Sequence, residues 1–148
     1  MAYKFRLQKV LDWRLRLEEE QNCRLGQAYR EAAEAKGELG RLKEYLGQLQ
    51  ADYSLRQLSQ VDVPGALLAA DYLTCLFSRV REQQQAVAQC EQRLAEQLRL
   101  AEKALQERKV MDTLREKEVA RCRREAEAVE QRLTDEAARF VYLYGRQF

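Results

Sequence analysis

SQVDVPG, residues 59–65, decides how this chain folds. Pro64 has no amide hydrogen to donate, biases Val63 away from helical dihedrals and is followed by Gly65. The segment is the only strong interruption in 148 residues that include a single proline and six glycines. One turn therefore separates two arms. The pattern places helix 1 at about 4–58, the turn at 59–65 and helix 2 at about 66–144 of one coiled-coil domain spanning 1–148. Asp62 stands where a side-chain oxygen caps a helix, and Pro64 is tolerated in a first helical turn.

Working back from the turn, Leu25, Ala28, Ala32, Ala35, Leu39, Leu42, Leu46, Leu49 and Tyr53 recur in alternating steps of three and four. That is the seam of a coiled coil. Further upstream Leu7, Val10, Leu11 and Leu17 carry a similar face, but Arg14, Glu18 and Gln21 fall in the later register, so the seam is expected to shift or loosen between about Arg14 and Arg24. Working forward, the second arm carries Leu73, Leu76, Val80, Val87, Cys90, Leu94, Leu98, Ala101 and Leu105. It resumes with Val119, Cys122, Ala126, Val129, Leu133 and Phe140. Between them QERKVMDTLREKE, residues 106–118, is mostly charged, with Met111 and Leu114 its apolar members. There the seam must accept long side chains, change register or face a partner.

The fold class is all-α, a long antiparallel two-helix coiled-coil hairpin. With the reversal centred near Pro64, residue i is expected opposite a position near 127 minus i, placing Leu42 near the segment around Gln85 and Met1 in the neighbourhood of Ala126. The last 20 or so residues then extend beyond the paired region, which at 1.5 Å per residue is about 90 Å of pairing and up to about 30 Å of single helix. Gly37, Gly40 and Gly47 lie within the best part of the seam, and close approach of the two helices is the expected reason for them.

Charged residues make up 34% of the chain, against roughly 25% in ordinary soluble domains, and Ala, Glu, Lys, Leu and Arg supply more than half of it. The net charge of +2 arises from interleaved signs, so no single-sign field points to nucleic acid. Neither a base-reading module nor an aromatic stacking platform accompanies the basic residues. The most apolar stretch, Gly65 to Phe77, is interrupted by Asp71 and is too short to cross a bilayer, and the N-terminus lacks the apolar core of a signal peptide. These features lead to the expectation of a cytoplasmic protein with no direct membrane insertion.

There is no histidine, and Cys23, Cys75, Cys90 and Cys122 are scattered without metal-ligand spacing; they read as small apolar residues in or beside the seam. Ser-His and Cys-His nucleophile pairs are excluded, and GELGRLKEYLG does not match a phosphate loop. A two-helix seam provides no deep cleft to shift a catalytic carboxylate. No catalytic residue, metal ligand or cofactor is therefore expected, and the chain is read as not an enzyme.

Two places carry more apolar surface than one seam buries. After the turn, Leu67, Leu68, Tyr72, Leu73, Leu76, Phe77 and Val80 form a wide stripe. At the far end, ARFVYLYGRQF sets Phe140, Val141, Tyr142, Leu143, Tyr144 and Phe148 on the expected extension. Such patches mark docking or self-association. The basic residues Lys4, Arg6, Lys9, Arg14 and Arg16, with Arg121, Arg123 and Arg124, are expected to meet at that same end and to suit an acidic protein surface.

FRLQKVLD, residues 5–12, followed by the EEE of Glu18 to Glu20, resembles the start of the flagellar export protein FliJ family. DYLTCLFSRV, residues 71–80, ERKVMDTLREKE, residues 107–118, and the chain length agree with that family. The resemblance covers nearly the whole chain. It implies a stalk component of the flagellar type III export apparatus, similar to the central shaft of rotary ATP synthases, at the cytoplasmic face of the inner membrane at the flagellar base. Its implied partners are the hexameric export ATPase, the cytoplasmic domain of the export gate and, for some members, export chaperones.

The resemblance places gate docking at Tyr72, Leu73, Leu76 and Phe77. Contact with the ATPase ring is expected from Lys4, Arg6, Lys9, Arg121, Arg123, Arg124, Phe140, Leu143, Tyr144 and Phe148, and the isolated chain is expected to be a monomer. An injectisome stalk protein and a self-associating structural coiled coil are the alternatives.

Overall fold

In the computed structural model, which describes residues 3–59 and 62–145, the chain is an all-α helical hairpin. Helix α1 spans Gln8–Ser59, 52 residues, and α2 spans Val63–Tyr144, 82 residues. Among the described residues there is no strand, no cis peptide and no positive-φ backbone. The reversal lies ahead of the proline. The Ala66 amide donates to the Asp62 carbonyl at 2.9 Å, so α2 starts at Val63 and Pro64 sits within its first turn, where a missing amide hydrogen costs nothing. A side chain at Gly65 would meet the Asp62 carboxylate at 2.7 Å, and that exposed side chain would have to swing aside to admit it.

Moving the reversal upstream corrects the register. Tyr3 meets Glu118, Arg14 meets Glu107 and Glu38 meets Gln83, and across the cross-helix side-chain pairs the numbers add to between 117 and 127, centred near 121 rather than 127. Leu42 accordingly packs against the cluster of Leu46, Leu76 and Val80, not beside Gln85. The expected facing of Met1 and Ala126 lies outside the described residues.

The contacts divide into two compact units, Glu19–Glu102 and Met1–Glu18 with Lys103–Phe148. In the first, the nine seam positions from Leu25 to Tyr53 are the only residues of that stretch that are not exposed. They close on Leu73, Leu76 and Val80, with Leu76 3% exposed. Gln83 donates to the Ala35 carbonyl at 3.1 Å and Gln97 donates to the Gln21 side-chain oxygen at 2.6 Å, so the polar seam members bond across the helices. In the second unit Phe5, Leu11 and Ala104 are buried, and Leu11 is 1% exposed.

Two seam expectations are revised. First, α1 does not shift register between Arg14 and Arg24: partly or wholly buried positions continue through Leu7, Leu11, Arg14, Glu18, Gln21 and Leu25 at the same spacing. Polar side chains occupy the seam because each has a partner on α2. Second, Gln97 takes the seam place assigned to Leu98, which is 39% exposed, and Val119 is exposed as well; the exposure of Val129, Leu133 and Phe140 agrees with the extension expected of the last 20 or so residues. From Arg123 to Tyr144 every residue of α2 is exposed. The glycines are also accounted for differently, since a Cβ at Gly40 or Gly47 meets nothing within 4 Å and one at Gly37 only touches the tip of Arg41. Close helix approach does not require them.

Candidate functional site

The turn-proximal surface is built by the first turns of α2. Helical spacing sends Leu73 and Leu76 toward α1, where Leu76 is core and Leu73 packs against the same cluster. Phe77, 50% exposed, points elsewhere, while Tyr72 is 48% exposed but leans its hydroxyl on Tyr45 of α1. The four residues expected to dock a partner together are therefore split: Leu73 and Leu76 hold the hairpin, Phe77 faces solvent and Tyr72 does both. Leu67 and Leu68, with Leu55, Leu58 and Val63, are exposed beside them.

A groove of about 440 Å³ runs between the helix ends, lined by Leu49, Tyr53, Arg56, Asp62, Tyr72 and Leu73 among others. The Tyr72 and Tyr45 hydroxyls lie 3.1 Å apart and share a hydrogen. That bond, with desolvation second, raises the Tyr72 pKa above 10.

The second surface belongs to the unit that carries both termini. Tyr3 donates to the Glu118 carboxylate at 2.6 Å, tying the start of the chain to the segment that precedes Arg121. Desolvation, then this bond to a carboxylate, pushes the Tyr3 pKa up to about 12. Lys4, Arg6 and Lys9 are exposed and form no ion pair among the described residues. On α2, Arg121 pairs with Glu125 at 3.7 Å and Arg123 with Glu127 at 2.8 Å, whereas Arg124 has no ion pair among the described residues. Phe140, Leu143 and Tyr144 are 64%, 62% and 53% exposed, and the Phe140 and Tyr144 rings stack at 4.6 Å. Phe148 lies outside the described residues.

Sequence reading missed the polar cluster in the charged part of α2. Arg108 donates to Glu18 at 2.6 Å and also bonds Asp112, while Arg14 pairs with Glu107 and lies over the Trp13 ring at 4.8 Å. The Arg108 guanidinium is held more firmly charged than usual by its hydrogen bonds to Glu18 and then Asp112. The only signal in the sequence was the helical spacing that sets Arg14, Glu18 and Gln21 in line with Leu11 and Leu25; which side chains on α2 answer them depends on the register of the second helix. Of the cysteines, Cys90 and Cys122 take seam positions, and Cys23 and Cys75 are exposed.

These surfaces offer apolar and cationic contacts; among the described residues no charged or polar side chain is buried and no cluster of three or more metal-ligating side chains occurs. A family model, flagellar FliJ protein, matches residues 3–147. The chain belongs to the flagellar FliJ family. Membership makes this FliJ-family chain a component of the flagellar protein export apparatus, and thus of protein transport. No helix among its described residues is long and apolar enough to cross a membrane. No curated protein and no solved structure matches this FliJ-family chain.

Proposed function

We propose that the chain is the stalk of the export apparatus, binding the hexameric export ATPase through the end that carries both termini and the export gate through the end that carries the turn. The observation that supports this reading is the uncovered stretch of α2 from Arg123 to Tyr144, which exposes Phe140, Leu143 and Tyr144 in the same unit as the exposed cations Lys4, Arg6, Lys9 and Arg124. Apolar side chains on a helix suit a greasy sleeve in a ring, and the cations suit acidic loops around it. A helix that binds the assembled ring in preference to its separate subunits raises the ring population by mass action. The stalk then raises ATP hydrolysis without contributing a catalytic residue.

Gate docking falls to Tyr72 and Phe77, since Leu73 and Leu76 are committed to the hairpin. The matched family is the flagellar one, which favours the flagellar apparatus over the injectisome. The working location is the cytoplasmic face of the inner membrane at the flagellar base, with export chaperones as further partners. The test is binding to the purified export ATPase and the purified cytoplasmic domain of the gate. Tyr72→Ala with Phe77→Ala is expected to weaken gate binding while helicity and ATPase binding stay unchanged. Full gate binding by that variant removes the turn surface from the account.

A further inference from the structure

The uncovered part of α2 is patterned as half of an antiparallel helix pair. Cys122, Ala126, Val129, Leu133, Ala137, Phe140 and Tyr144 follow one another in steps of three and four, seven positions without a polar interruption. They continue the stripe of α2 that runs through Ala104, Arg108, Met111 and Glu118, all of them buried or half-buried. Val129, Leu133 and Phe140 are 54%, 61% and 64% exposed, so the stripe goes on after its cover has ended. Eleven-residue spacing of this kind, about 3.67 residues per turn, drifts little along a helix and winds a helix pair gently to the right.

We infer that this face docks a second copy of the same chain, antiparallel and two-fold, with Leu133 meeting Leu133 at the symmetry axis. Counting outward in that register, Val129 lies opposite Ala137 and Ala126 opposite Phe140. Each larger side chain meets a small one, the alternation that fills an interhelical layer without a gap. Cys122 lies opposite Tyr144, so the incoming helix ends where the start of the host's chain begins: Tyr3 bonds to Glu118, next to this point.

The flanks agree with the same register. Along one edge of the stripe stand Glu125, Arg132, Glu136 and Arg139. In an antiparallel pair like edges face each other, which brings Arg132 beside Glu136 of the other copy and Arg139 beside Glu125, each twice by symmetry. Arg132, Glu136 and Arg139 form no ion pair within the chain among the described residues, and Glu125 has only the 3.7 Å contact to Arg121. The opposite edge, with Arg123, Glu130, Thr134 and Val141, brings no like charges together. Two helices of this length bury an area at the small end of specific interfaces, on the order of 1,000 Å², so the dimer is weak and transient. This departs from the monomer expected from the sequence. It differs from a structural filament in stopping at two copies and dissociating on dilution, and it stands independently of the ATPase reading.

Sedimentation of the full chain from about 10 µM to 1 mM, the range of a weak contact, tests the pairing. Monomer converting to dimer, with no larger species, is the expected result. Leu133→Glu should abolish the dimer with helicity intact, because Leu133 is exposed within its own chain. Arg132→Glu should shift the association at least several-fold toward monomer, and adding Glu136→Arg should restore it, since the swap regenerates both cross-pairs. With the native cysteines replaced by alanine, Leu133→Cys should crosslink to itself and Ala126→Cys should crosslink to a chain carrying Phe140→Cys. A chain monomeric throughout that range, a dimer that survives Leu133→Glu, or Ala126→Cys crosslinking only to itself would each overturn the proposal.

Discussion

Arg108 holds two carboxylates, Glu18 across the seam and Asp112 one turn along its own helix, while Arg99 holds only Glu96 on an exposed face. Arg108→Ala is therefore expected to lower the melting temperature clearly more than Arg99→Ala, as followed by circular dichroism, because the first change leaves a half-buried Glu18 without its partner. Equal effects would place both pairs among ordinary surface contacts. Tyr3 carries a pH signature. Its pKa is pushed above the usual 10 to about 12, so the neutral phenol is favoured in the fold. The stabilisation is fully present below pH 10 and is lost as pH rises from 10 to 12. Absorbance titration should show one tyrosine ionising near pH 12, absent in Tyr3→Phe. In the core, Leu76→Ala should cost an amount near the low end of roughly 2–5 kcal/mol, because a narrow seam lets neighbours partly close the gap. Leu68→Ala, on a residue 73% exposed, should stay within about 0.5 kcal/mol in the same denaturation.

At the scale of the elements, the stretch from Leu25 to Tyr53 was fully legible, since hydrophobic spacing alone names the positions that become covered. Arg14, Glu18 and Gln21 were not, because apolar periodicity registers a polar residue as an interruption, and whether it has a partner depends on the other helix. The register was misjudged for a related reason. Pro64 was taken as the centre of the reversal, yet a proline in the first helical turn is at home, and the chain turns before it. The same error of a few residues hid the facing of Gln21 and Gln97. Leu98 was read as a seam residue because apolar character outweighed spacing, and Gln97 holds that place. At the turn surface the sequence marked the right segment but could not divide Tyr72 and Phe77 from Leu73 and Leu76, a division made by which side of α2 meets α1. Gly40 and Gly47 face open space, so Gly40→Ala and Gly47→Ala should each stabilise α1 by up to about 1 kcal/mol in chemical denaturation. Destabilisation by either would mean that the glycine serves an approach that the free chain does not make.

For the whole molecule, the proposed stalk role assigns one partner to the aromatic and aliphatic side chains exposed beside the turn and another to the apolar stripe exposed on the last part of α2. If the uncovered part of α2 pairs with a second copy in the free chain, the ring must displace that copy, and the apolar face serves only one partner at a time. The measurement that bears most directly on the stalk account is the ATP hydrolysis rate of the purified export ATPase with the full chain and with a chain lacking residues 140–148. The account predicts that the full chain stimulates hydrolysis and that the shortened chain, still helical and still binding the gate domain, does not. Undiminished stimulation by the shortened chain would contradict it.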